Sequence, residues 1–205
     1  MGRFKWAGLV VVLAGLAAIA GTGSAVALEN NDQFCAACHT EPETTYVAQL
    51  SEARATDAAP TLAAFHGAPV GPFAKRPEIK AARCIDCHSG PHPADRAATL
   101  VKAAGDTAAF FLGRARQPAR LDAPLPDTNC IRCHETDYIT DQSFENHFHT
   151  LLTDVDAPSD IRCVGCHVAH QPASDIDQFT VRSVVIPTCE HCHEFMGRGP
   201  RNMQP

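Results

Sequence analysis

The pattern C-x-x-C-H occurs five times in the chain: CAACH at 35–39, CIDCH at 84–88, CIRCH at 130–134, CVGCH at 163–167 and CEHCH at 189–193. The five copies use all ten cysteines. This is the attachment signature of c-type haem. Two thiols bond to the two vinyl groups of one porphyrin, and the histidine that follows is placed beneath the ring to ligate its iron. Cys35 and Cys38, Cys84 and Cys87, Cys130 and Cys133, Cys163 and Cys166, and Cys189 and Cys192 are therefore expected to bind five covalent haem c groups. A structural zinc protein would pair C-x-x-C knuckles, and five divide badly among four-ligand sites. A disulfide framework would suit an exported chain. Neither alternative needs a histidine after every second cysteine.

The proximal iron ligands are then His39, His88, His134, His167 and His193. Six of the eleven histidines remain: His66, His92, His147, His149, His170 and His191. That is close to one further ligand per iron, and bis-histidine ligation is expected for most sites. His66, His92, His147 and His170 are the distal candidates, with Met196 a weaker one for the fifth site. In "DQSFENHFHTLLT" (141–153), read as a short helix, Phe144, His147, Phe148 and Leu151 share one face. His147 is preferred over His149 because that face is apolar.

Aromatic residues make up only 6% of the chain, while alanine, proline and glycine are plentiful. A chain of 205 residues built this way could barely support a core of its own. The fold class expected is mainly α with much irregular loop, wrapped around the haems and unfolded without them. The formal charge of −6 argues against nucleic acid as a partner.

Residues 1–28 form an export element. Arg3 and Lys5 precede "AGLVVVLAGLAAIAGTGSAVAL", 22 residues without a charge. As a helix at about 1.5 Å per residue this run spans about 33 Å, enough to cross a bilayer. The basic residues keep the N-terminus inside, so Cys35 and all that follows emerge on the outer side. Ala25-Val26-Ala27 also fits a signal-peptide cleavage site. Retention as a single-pass anchor in the inner (cytoplasmic) membrane is expected, with the haem domain on the periplasmic side.

Beyond the anchor, 29–172 carry four motifs and 173–205 carry the fifth. Helices are expected over 43–58 and 94–116. The prolines at 60, 69, 72 and 77 mark loop, and "QPARLDAPLPD" (117–127) is a candidate hinge. "FTVRSVVIP" (179–187) is the one strand candidate, or an extended linker.

The order of "NDQFCAACH", a histidine before "ARCIDCHSGPH", a long helix, "TNCIRCH", another histidine and "CVGCHVAHQP" resembles the NapC/NirT/NrfH family of membrane-anchored tetrahaem quinol dehydrogenases. The likeness covers about residues 1–172, mainly in motif order, with Asp86 inside the second motif and His170 just after the fourth as the sharpest local matches. It implies that His39 serves the haem nearest the membrane, and that Asp86 lies by that haem's open face with Lys80 as a candidate partner in quinol deprotonation. Asp86 could equally be a turn or cap residue. Two departures stand out: Glu41 occupies a position where the family often has methionine, and the fifth motif extends the series.

Taken together, these features predict a pentahaem cytochrome that takes electrons from membrane quinol and passes them to a periplasmic partner. The alternative is an electron-carrier subunit of a larger respiratory or photosynthetic complex with no quinol site of its own. Substrate turnover at an open haem is a third class, and no pocket-forming pattern marks it.

Overall fold

The computed structural model describes residues 2–76, 78–121, 124–134, 149, 160–173, 179–200 and 202–203. Among them the chain is mainly helical, with irregular connections and no β-strand beyond an isolated bridge between His167 and Thr180. The helices are α1 (Gly2–Glu29), α2 (Asp32–Cys38), α3 (Glu43–Thr56), α4 (Leu62–Gly67), α5 (Cys84–His88), α6 (Pro93–Phe111), α7 (Thr128–His134), α8 (Cys163–Cys166) and α9 (Arg182–Phe195).

Local chemistry fixes many of their ends. Asn31 caps α2 by accepting the Gln33 N–H at 3.1 Å. Thr61 caps α4 by accepting the Ala64 N–H at 3.2 Å, and is itself fully buried. Pro93 opens α6 where a helix needs no N–H partner. The expected 94–116 helix stops at Phe111, because Gly113 takes φ 67° and its N–H returns to the Phe110 carbonyl at 2.9 Å.

α1 runs as one helix through the expected export element. Trp6, Leu9, Val10, Val11, Val12, Leu13 and Leu16 lie exposed along it. Among the described residues no helix is long and apolar enough to cross a membrane. The side chains of 2–5, 17–19 and 22 fall outside the description.

Two expectations need correction. Residues 182–187 are neither strand nor linker but the start of α9, which carries Pro187 inside it. The β-branched run gives way because the helix continues through Cys189 to Phe195. Just before it Thr180 bridges to His167, and Phe179, at φ 50°, accepts the Val168 N–H at its carbonyl at 3.2 Å. Nor is the start of 117–127 a free hinge. Gln117 donates from Nε2 to the Cys38 carbonyl at 2.9 Å and accepts from the Thr40 hydroxyl at 3.2 Å. The expected helix at 141–153 lies, apart from residue 149, outside the described residues.

The core is small. Leu50, Ala53, Ala59, Ala64, Ala68 and Val70 form one cluster between α3 and α4, with Phe65 packed against it. Phe65 meets Phe73 and Phe179, each at 5.2 Å between centroids. The cluster also joins distant segments: Ala63 N–H donates to the Ala169 carbonyl at 2.8 Å, and Ala82 N–H to the His66 carbonyl at 2.8 Å. Four of its six members are alanine, so Leu50 supplies much of the apolar volume. Leu50→Ala is expected to destabilise the protein by about 2–4 kcal/mol, read as a lowered midpoint in urea unfolding.

Candidate haem-attachment sites

Every C-x-x-C-H copy lies on a helix or at its end: α2, α5, α7, α8 and α9 carry motifs one to five in turn. Residues three and four apart share one side of a helix, so both sulfurs and the imidazole of a motif leave from the same side. The His39 N–H bonds the Cys35 carbonyl at 3.0 Å and the His167 N–H bonds the Cys163 carbonyl at 2.8 Å, closing the turn in motifs one and four. None of the ten cysteines is joined to another in a disulfide.

Three motif histidines face a histidine from elsewhere. His134 faces His66 with ring centroids 5.8 Å apart, His88 faces His170 at 6.2 Å, and His167 faces His149 at 6.0 Å. At about 2 Å per metal–nitrogen bond, two imidazoles flanking one iron have centroids on the order of 6 Å apart. The residues present therefore fit bis-histidine haem at motifs two, three and four.

Their surroundings favour the ligating form. His66 Nδ1 bonds the Leu62 carbonyl at 2.9 Å, which leaves Nε2 for a metal. Tyr46 of α3 stacks on His170 at 4.1 Å with the rings 16° apart. Burial, and then the nearby charge of His88, hold the His170 pKa down to about 4. Burial likewise lowers His88 and, with His167, His149. A neutral imidazole is the form that binds a metal.

At the fifth motif, His193 Nδ1 meets the Pro200 carbonyl at 2.7 Å. Gly199, at φ 91°, makes that approach possible: a Cβ there would stand 2.7 Å from His193 Nδ1. Among the described residues neither His39 nor His193 has a facing imidazole. Met196 lies one turn beyond His193 on α9. His92 is exposed at the start of α6, and its N–H donates to Asp95 at 3.0 Å. His191 pairs on the surface with Asp160 at 3.1 Å.

His149, the alternative to His147 on the expected helix, is the ring set against His167, and His147 lies outside the described residues. Which face meets a ring depends on where α8 stands, and the helical period carries no such signal.

The motifs adjoin one another in chain order. The Cys35 side chain lies beside that of Cys84, and the Cys130 side chain beside that of Cys163. Motifs two and three meet where Asn129 Nδ2 donates to the Cys87 carbonyl and Arg132 donates to the Asp86 carbonyl. Motifs four and five meet where the Thr188 hydroxyl donates to the Gly165 carbonyl at 3.2 Å.

The foot of α1 is tied to the first two motifs by charge. Glu29 pairs with Arg96 at 3.1 Å, Asn30 accepts from Arg83 at 2.6 Å, and the buried Asp32 lies 3.6 Å from Arg54. Asp86 is the cap of α5: it accepts the Arg83 backbone N–H at 2.8 Å and two guanidinium bonds at 3.2 Å. Burial pushes its pKa up, but the Arg83 bonds and charge outweigh that and hold it below the usual carboxylate value. Lys80 is exposed. Glu41 accepts hydrogen bonds from Thr44 and Thr45 at the start of α3, and the Thr44 bond chiefly lowers its pKa.

No family model matches the chain, and no curated protein or solved structure matches it either.

The Asp86 arrangement carries a pH signature. A carboxyl group whose folded pKa is depressed adds stability above its unfolded value and loses it as pH falls through the folded one. Asp86→Asn should therefore cost about 0.5–1 kcal/mol at neutral pH, an amount typical of a partly exposed pair. In urea unfolding across pH, the gap between variant and wild type should close well below about pH 4.

Proposed function

We propose that the chain is a membrane-anchored pentahaem c-type cytochrome that takes electrons from membrane quinol and relays them to an extracytoplasmic partner. The observation that carries this is the set of three facing imidazole pairs, each joining a motif histidine to one from elsewhere at 5.8–6.2 Å. Zinc knuckles or disulfides give no reason for such pairs. When bound, each haem supplies a one-electron carrier whose potential follows its axial ligands and burial. The contacts between successive motifs keep five such carriers in sequence order, and the thin alanine-rich core is what a chain that wraps its cofactors needs.

The anchor reading rests on the uncharged run of residues 7–28, on the exposed apolar side chains of α1, and on the ties of Glu29 and Asn30 that hold the first motif at the helix end. The tetrahaem unit is then 29–172 and the fifth site belongs to 173–205.

Quinol oxidation needs a proton acceptor near the first motif. Asp86 stands two residues beyond Cys84, whose backbone N–H donates to Asp32 just before the first motif at 3.0 Å. In the arrangement held by Arg83 its carboxylate is a weak base, and it takes a proton only when Arg83 lets go. This favours keeping a second reading: a carrier subunit of a larger complex, fed by another protein.

Intact mass of protein matured in a host that attaches haem c should exceed the polypeptide by five haems. A mass equal to the bare chain sinks the proposal. Replacing His66, His149 or His170 by alanine should each turn one haem from low-spin to high-spin in the absorption and electron paramagnetic resonance spectra, whereas His147→Ala should leave the spectra unchanged.

A quinol analogue should reduce the haems of the detergent-solubilised protein. Asp86→Asn should slow this by at least about 100-fold if Asp86 is the proton acceptor. An unchanged rate with Asp86→Asn removes it from the site, and a wild type that quinol does not reduce moves the protein to the carrier reading.

A further inference from the structure

Two aspartates make the same unusual contact. Asp32 lies three residues before Cys35, and Asp127 three residues before Cys130. Asp32 Oδ1 accepts the backbone N–H of Cys84 at 3.0 Å, and Asp127 Oδ1 accepts the backbone N–H of Cys163 at 2.9 Å. Each carboxylate thus reaches from the helix of one motif to the first cysteine of the next. In both cases the two first cysteines, Cys35 with Cys84 and Cys130 with Cys163, also stand side by side. In both, an arginine stands directly before the second motif: Arg162 lies 3.8 Å from Asp127, and Arg83 lies in the field of Asp32.

An aspartate at a helix start commonly serves that helix. Here the side chains do not. Asn31 already caps α2. The Asp127 backbone carbonyl takes the first bonds of α7, from Cys130 and Ile131, while its side chain turns away to Cys163. A third aspartate at the same offset, Asp160 before Cys163, reaches the fifth motif at the His191 ring instead, 3.1 Å away and exposed. The second motif has Ala81 and the fifth Ile186 at this offset, so neither can pass the contact on.

We propose that Asp32 and Asp127 are positioning residues: each carboxylate fixes the first cysteine of the following motif against the first cysteine of its own. The first four sites are thereby built as two like pairs, one with two and three with four. Asn129 and Arg132 join the pairs by different contacts, and the fifth site is appended through Asp160 and Thr188. The proposal rests on the haem reading above and adds which sites form close pairs and what holds them.

The test uses the mature full-length chain and its Asp32→Ala, Asp127→Ala, Asp32→Asn and Asp127→Asn variants. Intact mass gives the haem count. Circular dichroism in the Soret region gives the couplet that arises when two strong porphyrin transitions lie close together. With five haems retained, each alanine variant should lose about half the couplet, since the two pairs act independently. The asparagine variants keep an acceptor oxygen and should keep the couplet.

An intact couplet in an alanine variant that carries five haems overturns the proposal, as does loss in asparagine variants equal to that in alanine. If an alanine variant matures incompletely, peptide mapping decides. Missing haems confined to motifs one and two for Asp32, or three and four for Asp127, support the pairing, and loss from the other pair overturns it. A wild type without haem overturns the haem reading too, and the mass measurement tells that case apart.

Discussion

Pairs of imidazoles held about 6 Å apart are the constraint on which this fold depends. A histidine ring is polar, and burying one without a partner is costly. Yet half-buried His170 has its Nδ1 buried without a hydrogen bond, stacked beneath Tyr46 and facing His88. His66 is carried to His134 by α4, whose neighbouring residue Phe65 packs on the alanine cluster. The small apolar core is thus placed where it sets His66 against His134, and the connections on either side of it are irregular.

Around these pairs, short polar contacts order the motifs. Asp32, Asn129, Asp127 and Thr188 each bridge from one motif to the next. Bonds of this kind fix spacing without much buried area, which suits a chain with few large apolar side chains. At the other end Glu29, Asn30 and Asp32 lock the exit of α1 to Arg96, Arg83 and Arg54. The charges gather at this junction, so the first motif is held at the helix foot and does not hang from a linker.

Much of the plan was legible beforehand, for particular reasons. α3 and α6 follow from their composition, and their ends fall where Asp57 and Gly113 take left-handed backbone. His66 and His170 could be named because few histidines were left once the motifs were assigned. The choice between His147 and His149 was not legible, because a helical face says which side chains are neighbours, not which face meets another element. The stretch 179–187 misled because β-branched residues favour strands only when a neighbouring strand is there to pair with. Here the nearest partner is a single bridge at Thr180. Asp86 showed its alternative role at once in three dimensions, as the acceptor for Arg83.

The sequence by itself determined the number of C-x-x-C-H motifs and the histidine that closes each, because spacing along the chain is a local property. It also marked the uncharged segment that precedes the first motif. Only the tertiary structure decided which distant histidine faces which motif, that successive motifs touch in chain order, and that two aspartates three residues upstream of a cysteine reach across to the next motif. Those choices depend on where separate segments meet in space, and no periodicity or spacing along one segment encodes that.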